Sequence, residues 1–290
     1  VRVLSHIRNG DLTQKARVYS NDEIGFAVDV VNAMTTELQE KEKMSRSLDL
    51  AKEVQQRLLP NADISVNGFD ISGVSHYCDQ TGGDLYDVFL PEEGGSRKMG
   101  VTIADVSGHG ISSALLMASV RSSLRLRLSL GGNMGEVITD VNKQICRDFC
   151  ESGQFISMLY LSLDQKDKKL EWVRAGHDPG FIYDPDSDRF DILKGDGIVL
   201  GLDSDFIFKS QEIEGVRPGQ IIVLYTDGLW ETKNPENDVY GKSRLMEMVR
   251  STADLSAKDM TKNIIDDLDT FRQERILEDD VTLVIIRVTG

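Results

Sequence analysis

The sequence is poor in cysteine, in aromatic side chains and in long apolar runs. Only three cysteines occur among 290 residues, an odd number that is too small for a disulfide framework. Aromatic residues make up 7%, and no stretch of about 18 apolar residues is present, which excludes a membrane-spanning helix within this sequence. No signal-peptide pattern is present either. We therefore expect this sequence to lie in the reducing cytoplasm.

Positive charge is also scarce. The chain carries 33 basic against 48 acidic side chains, a formal net charge of −15. Phosphate backbones and anionic lipids repel such a chain, which argues against nucleic-acid binding. A minority of the carboxylates could still be clustered as ligands of hard cations. A zinc site is not expected, because Cys78, Cys146 and Cys150 lack the neighbouring His or further Cys that it needs.

The first 60 residues contain little strand pattern, and most of them are predicted to form one long helix. Asn21 or Asp22 suits its N-cap, and Pro60 ends it. A helix of about 35 residues cannot bury an apolar seam alone, so pairing in a homodimeric coiled coil is expected, the alternative being a helix packed along its own domain. The heptad-like seam consists of Ile24, Val28, Val31, Thr35 and Leu38.

Two short motifs in this segment resemble the second half of a HAMP domain. Gly-Asp-Leu at residues 10–12 follows the first helical stretch, and Asp-Glu-Ile-Gly at residues 22–25 opens the second. The resemblance implies a parent protein that is anchored in the plasma membrane by a preceding segment, with this part in the cytoplasm. We divide the chain into a partial HAMP domain at 1–40, a helical linker at 41–62 and one large domain at 63–290.

The large domain begins with short apolar runs that Gly, Asp and Pro separate. Neighbouring runs with short turns favour antiparallel sheets over alternating βαβ units. Strands are predicted at 69–75, 85–90, 99–105, 155–163, 170–174, 181–183, 206–213, 221–225 and 281–288. Helices are predicted at 112–130, 134–150, 242–249 and 257–275.

Carboxylates stand at the ends of several of these strands. Asp84 follows two glycines, and Asp105 ends an apolar strand; Asp227 follows another, and Asp279 precedes the last. Each motif alone is weak, because Asp-Gly is usually a turn. Several carboxylates gathered at buried strand ends would repel one another and require a cation, for which Mg²⁺ or Mn²⁺ is the natural choice.

Taken in order, the motifs are far more specific. They are Gly-Gly-Asp-x-x-Asp at 82–87, Asp-Val-Ser-Gly-His-Gly at 105–110, Ala-Gly-His at 175–177, Tyr-Thr-Asp-Gly at 225–228 and Asp-Asp-x-Thr at 279–282. From about residue 50 to the end, this set resembles the bacterial PPM-type (PP2C-like) serine/threonine phosphatases of the SpoIIE/RsbU group. The resemblance implies an α+β fold, an αββα sandwich of two antiparallel sheets flanked by helices, with the metals at one edge.

The resemblance also implies roles for individual residues. Asp84 and Asp105 are expected to be shared ligands of two ions, Mn²⁺ or Mg²⁺, assisted by the backbone carbonyl of Val106. Asp227 and Asp279 are expected to be ligands of the first ion. Two such ions, about 3.5–4 Å apart, would share a water, lower its pKa and direct hydroxide at phosphorus without a covalent intermediate. The substrate is expected to be phosphoserine or phosphothreonine on an anti-anti-sigma-like (STAS) regulator.

Other residues near these motifs keep two interpretations. His109 could protonate the leaving oxygen or brace the glycine-rich turn before the next helix. His177 is predicted to be structural. Asp87 and Asp280 are candidates for outer-shell contacts or for a third metal.

The predicted helix at 112–130 follows directly from the Asp105 loop, and the N-terminal helix is continuous with the domain. We therefore expect that N-terminal helix to gate metal occupancy. Three alternatives remain: a catalytically silent phosphoprotein-binding module, a dimeric scaffold of a sensor, and another two-metal hydrolase such as a nuclease, which the acidity disfavours.

Overall fold

The computed structural model describes residues 2–19, 22–66, 68–90, 98–108, 110–149, 153–164 and 166–289. The chain divides into two compact units, Val1–Val54 and Gln55–Gly290. Among the residues described, none of the helices combines the length and the apolar character that a bilayer crossing needs. The three-part division at residues 40 and 62 stays a prediction.

The first unit consists of a short helix, a connector and most of a long helix. Asp22 is one of the two predicted N-caps of the long helix, and its Oδ1 accepts the backbone N–H of Ile24 at 3.0 Å; the other, Asn21, lies outside the described residues. The connector lies along this helix, where Asn32 exchanges two hydrogen bonds of 2.8 Å with the backbone of Ala16. The helices are α1 (Arg2–Arg8) and α2 (Glu23–Gln56).

The seam of α2 is covered only in part. Thr35 is buried, whereas the side chains of Ile24 and Leu38 are 71% and 43% exposed. Phe26, which lies outside the predicted seam, is 72% exposed. Apolar surface on α2 therefore remains open to another helix, which leaves the expected dimer as a prediction.

The second unit contains eleven strands in its described residues, arranged in two sheets whose neighbouring strands are all antiparallel. The strands are β1 (Asp63–Val66), β2 (Phe69–His76), β3 (Leu85–Phe89), β4 (Met99–Val106), β5 (Ile156–Asp164), β6 (Lys169–Ala175), β7 (Phe181–Asp184), β8 (Arg189–Ile192), β9 (Gln211–Glu214), β10 (Ile221–Tyr225) and β11 (Val281–Val288). One sheet has the order β1-β2-β11-β10-β7-β8 and the other β3-β4-β5-β6-β9.

Helices cover the outer face of each sheet. They are α3 (Ile111–Ser129), α4 (Met134–Phe149), α5 (Asp227–Glu231), α6 (Lys242–Ser251) and α7 (Ala257–Arg272). One apolar core lies between the sheets, a second joins α3 and α4 to the five-stranded sheet, and a third joins α6 and α7 to the six-stranded sheet. The αββα sandwich and the α+β class are confirmed.

The predicted strand at 206–213 is wrong over its first half. Only Gln211–Glu214 pairs as a strand. Phe208 instead packs into the core beneath α3 and α4, and its backbone N–H donates to Thr139 Oγ1 at 3.0 Å. Its ring also lies edge-on to Phe206, with centroids 4.8 Å apart. Burial of these rings against the helices therefore replaces strand pairing there.

Candidate active site

The strand registers bring the predicted acidic motifs to one edge of the sandwich. In the five-stranded sheet, Leu85 pairs with Ala104, which places the start of β3 beside the end of β4. In the six-stranded sheet, Tyr225 pairs with Leu283, which places the end of β10 beside the start of β11. Each sheet therefore carries part of the acidic set at the same edge.

Asp84 links the two sheets at this edge. Its side chain is 1% exposed, and its Oδ2 accepts the Thr226 hydroxyl at 2.8 Å. The same hydroxyl oxygen accepts the backbone N–H of Thr282 at 2.9 Å. Burial, followed by the charge of Asp105, raises the pKa of Asp84 well above its usual range. The surroundings therefore disfavour an anionic Asp84 unless a cation is present.

Asp105, near the end of β4, lies in the same anionic environment. Burial first, and then the charges of Asp227, Asp279 and Asp280, raise the pKa of Asp105 to about 7. Carboxylates from separate strand ends are thus close enough to oppose one another's ionisation.

Asp227 is the first residue of α5. Burial and the neighbouring charge of Asp279 raise its pKa. The next residue, Gly228, lies so close to β11 that an added Cβ would be 2.1 Å from the carbonyl oxygen of Asp280. A glycine at this point therefore allows α5 to bring Asp227 against the segment that carries Asp279.

Asp280 organises the backbone beneath the site. It is buried, and its carboxylate accepts the N–H groups of Cys78 at 2.8 Å and of Gly83 at 2.7 Å. Gly83 in turn lies against β4, since a Cβ there would be 2.8 Å from the carbonyl oxygen of Val106. The predicted carbonyl ligand is thus next to the Asp84 loop.

Asp87 is held by cationic side chains. Arg125 binds it through two hydrogen bonds of 2.6 Å. Arg121 Nε lies 3.0 Å from the same carboxylate, although its N–H is not aligned for a hydrogen bond. The carboxylate of Asp87 is therefore committed to two arginines of α3 and anchors that helix to β3.

The donor set of this edge fits a divalent cation in its chemistry. Asp84, Asp105 and Asp227 supply oxygen donors, and within the described part of the chain none of these three carboxylates forms an ion pair with Lys, Arg or His. The same described residues include no group of three His, Cys, Asp or Glu side chains close enough to hold one ion. The carboxylates would have to draw together as an ion enters.

The two predicted histidines have different outcomes. His109 lies outside the described residues, so both of its predicted roles stay open. His177 is buried and bridges the sheets, with Nδ1 2.6 Å from Ser157 Oγ and Nε2 3.2 Å from the carbonyl oxygen of Tyr225. Burial lowers the pKa of His177 to about 4, so its ring is neutral at physiological pH and has the structural role that the sequence predicted.

Sequence reasoning missed two groups that shape the site. Thr226 lies inside the Tyr-Thr-Asp-Gly motif, but nothing in that motif indicates that its hydroxyl reaches Asp84 across the sandwich. Gln55, in the last turn of α2, is buried and bonds both backbone groups of Gly82, from Nε2 to the carbonyl at 2.6 Å and from the N–H to Oε1 at 3.2 Å. The sequence predicts the helix that precedes the domain, but it does not predict this contact with Gly82.

Comparison with known families and proteins agrees with this geometry. The family model of stage II sporulation protein E (SpoIIE) matches residues 95–289, and the HAMP domain model matches residues 1–40. Phosphoserine phosphatase RsbU of Bacillus subtilis (strain 168) is 29% identical over 247 residues, which cover 85% of this chain and 71% of RsbU. Phosphoserine phosphatase RsbP of the same organism is 24% identical over 246 residues, covering 84% of this chain and 58% of RsbP.

The fold has close structural relatives as well. The SiaA-PP2C domain of Pseudomonas aeruginosa superposes with a TM-score of 0.75 at 20% identity, over 86% of this chain and 98% of that domain. The fold and the family that the motifs predicted are both confirmed. The chain therefore belongs to the SpoIIE family of PP2C-like phosphatases.

Proposed function

We propose that this chain is a metal-dependent phosphatase of bacterial signalling that hydrolyses phosphoserine or phosphothreonine on a regulator protein. The family match and the two phosphoserine phosphatases RsbU and RsbP support a signalling serine phosphatase. The metal dependence is proposed on one observation, the gathering of Asp84, Asp105, Asp227 and Asp279 at one edge, where burial and neighbouring carboxylates raise the pKa values of the first three.

Two ions, Mn²⁺ or Mg²⁺, would be held by Asp84 and Asp105 with the Val106 carbonyl, and by Asp227 and Asp279. When bound, such ions supply an activated water and neutralise charge on the phosphoryl group. The Thr226 hydroxyl orients Asp84 toward this edge, and the hydrogen bond that the Gly83 N–H donates to the Asp280 carboxylate fixes the backbone next to it. His109 keeps both of its predicted roles, as proton donor to the leaving oxygen or as a brace of the glycine-rich turn.

The proposed substrate is a STAS-like anti-anti-sigma regulator. The names of RsbU and RsbP support phosphoserine as the residue from which phosphate is removed. The net charge of −15 disfavours a nucleic-acid substrate. A homodimer through α2 and a membrane-anchored parent protein are proposed on the HAMP match and on the exposed apolar side chains of α2.

The first experiment is hydrolysis of p-nitrophenyl phosphate with and without millimolar Mn²⁺, followed by phosphate release from a phosphoserine-STAS protein and from ATP. We expect Mn²⁺-dependent release from the small ester and the phosphoprotein, and none from ATP. Release from ATP alone would point to a nucleotidase. Binding of the phosphoprotein without turnover at any Mn²⁺ concentration would favour the alternative, a catalytically silent binding module. One observation supports that alternative: among the described residues, no three candidate ligands lie close enough together to hold one ion.

We further propose that the N-terminal helix gates the site through Gln55. The Gln55 amide holds the backbone of Gly82, and Gly82 lies two residues before Asp84. A shift in the last turn of α2 would therefore move the loop that carries a proposed metal ligand. The exposed neighbour Gln56 offers a matched control.

Replacing Gln55 by Ala is expected to weaken Mn²⁺ binding by up to about thirty-fold, because two hydrogen bonds of about 1 kcal/mol each no longer hold the loop. Gln56→Ala should bind Mn²⁺ like the unchanged chain. Titration calorimetry measures both. Equal Mn²⁺ affinities in the two variants would contradict the role of Gln55. Unchanged activity and Mn²⁺ affinity after deletion of residues 1–50 would contradict gating by the N-terminal helix.

A further inference from the structure

A cavity of about 520 Å³ lies on the outer face of the five-stranded sheet, beneath the connector that joins α3 to α4. Gly100 of β4, Ser162 of β5 and Glu171 of β6 are neighbours across three strands, and all three line it. Phe89, at the end of β3, lines it as well. Because β3 and β4 reach the acidic edge at their other ends, the cavity is separate from the candidate active site. Its volume suits a small organic molecule.

Two buried hydroxyl groups face this cavity. Tyr160 and Ser162 are 5% and 4% exposed, and both line it. Among the described residues, neither side chain has a hydrogen-bond partner. The Tyr160 hydroxyl lies over Gly100, where an added Cβ would be 2.5 Å from Tyr160 Oη. Since buried hydroxyls are usually paired, these two are placed to donate to a molecule inside the cavity.

The charges around the cavity favour an anion as that molecule. Arg121 and Arg125 share the single carboxylate of Asp87, which leaves one positive charge in excess. Arg125 lines the cavity and binds Asp87 through Nε and Nη2, so its Nη1 is left as a donor. Glu171, a carboxylate in the lining, is paired with Lys98 at 3.4 Å.

The other walls are apolar. Leu128 and Val137 line the cavity together with Phe89. The Phe89 ring lies edge-on to Tyr160 with centroids 5.8 Å apart, and Arg125 Cζ lies 5.0 Å from the same ring centroid. Two of the donors therefore meet beside one aromatic ring. The cavity also includes the first residue of α4, and the N-terminus of a helix of 16 residues favours negative charge.

We propose that this cavity binds a small organic anion with an apolar body. The acid group accepts hydrogen bonds from Arg125 Nη1 and from the hydroxyls of Tyr160 and Ser162, and the body packs on the apolar walls. Such a ligand bridges α3, the start of α4 and the sheet, so binding should raise the unfolding temperature of the protein. The proposal does not depend on the proposed metal site.

The test titrates the full chain with octanoate, with octanamide and with inorganic phosphate, by calorimetry. Octanamide has the same chain length without the charge, and phosphate has the charge without the apolar body. Each ligand is also titrated into Tyr160→Phe, which loses one donor, and into Ser162→Leu, which fills the cavity. Tyr86→Phe is the matched control, because Tyr86 is buried but donates its hydroxyl to the carbonyl of Gly73 at 3.0 Å.

We expect the unaltered chain to bind one octanoate, and octanamide about ten-fold more weakly, since hydrogen bonds to a charged group are lost. Tyr160→Phe should weaken octanoate binding by about ten-fold, and Ser162→Leu should abolish it. The unfolding temperature of ligand-free Tyr160→Phe should stay level or rise, because the hydroxyl removed has no partner among the described residues, which separates weak binding from misfolding. Tyr86→Phe should bind octanoate like the unaltered chain.

Three results would overturn the proposal. The first is no octanoate binding by the unaltered chain. The second is equal octanoate affinity in all four chains, which would place the ligand elsewhere. The third is octanamide or phosphate binding as tightly as octanoate, which would show that the cavity does not select an anion with an apolar body.

Discussion

Replacing Asp105 by Asn is expected to lower metal-dependent phosphatase activity by about 10³-fold or more and, at the same time, to stabilise the metal-free protein. The activity falls because an anionic oxygen ligand shared by two proposed ions is lost. Stability rises because burial and the charges of Asp227, Asp279 and Asp280 oppose ionisation of Asp105, whose pKa is raised to about 7. Hydrolysis of p-nitrophenyl phosphate at millimolar Mn²⁺ measures the first effect, and thermal unfolding in EDTA measures the second.

The sign of the second effect follows from proton linkage. An aspartate in the unfolded chain loses its proton near its ordinary pKa of 3.8, whereas folded Asp105 keeps its proton up to about pH 7. The folded state therefore binds more protons between these values, and the free energy of unfolding falls as pH rises through that window. The loss is up to about 4 kcal/mol for one such group.

The unaltered metal-free protein should therefore unfold at a lower temperature at pH 8 than at pH 5. Added Mn²⁺ should raise the unfolding temperature at pH 8 and so remove this difference. Asp105→Asn should show a weaker pH dependence and no Mn²⁺ effect. Asp84 and Asp227 contribute in the same direction, so some dependence remains. Asp254→Asn, at an exposed turn, is the matched control and should behave like the unaltered chain. An Asp105→Asn protein that is less stable than the unaltered chain at pH 8 would contradict the proposed repulsion.

Replacing Gly228 by Ala is expected to disable the site through the backbone alone. The added Cβ would lie 2.1 Å from the carbonyl oxygen and 3.0 Å from the carbonyl carbon of Asp280, and 3.3 Å from Asp279 Cβ. Two of these atoms belong to the backbone and cannot rotate aside, so α5 or the start of β11 must shift. Such a shift separates Asp227 from Asp279. We expect a loss of about 3 kcal/mol in the free energy of unfolding and a loss of about 100-fold in activity.

Gly215→Ala is the control for this substitution. Gly215 has open space around its Cα, and only its φ of +82° disfavours a side chain, at a cost of about 1 kcal/mol. Activity per folded molecule should be unchanged in Gly215→Ala. Full activity of Gly228→Ala in the same assay would show that the contact between α5 and β11 does not position the carboxylates.

Much of the fold follows from local pattern. Strands at 221–225 and 281–288 appear with the predicted bounds, because a run of buried β-branched and aliphatic residues between turns has few alternatives. The start of α2 follows from Asp22 as its N-cap for a similar reason. The strand prediction at 206–213 was wrong over its first half because the alternation there suits both a strand and a pair of aromatic side chains packed beneath helices.

The candidate site, too, was determined partly by local sequence and partly by the tertiary structure. By itself, the sequence determined which carboxylates stand at strand ends, and the order of its motifs determined the family, because spacing along the chain is a local property. Only the tertiary structure decided that Asp87 belongs to Arg121 and Arg125, that Asp280 holds the backbone of Gly83, and that Thr226 reaches Asp84. These partners lie between 34 and 197 residues apart in sequence, and antiparallel registers and packing select them. Local periodicity determines where a side chain stands on its strand, whereas the free energy of burying a carboxylate depends on the groups that the fold brings to it.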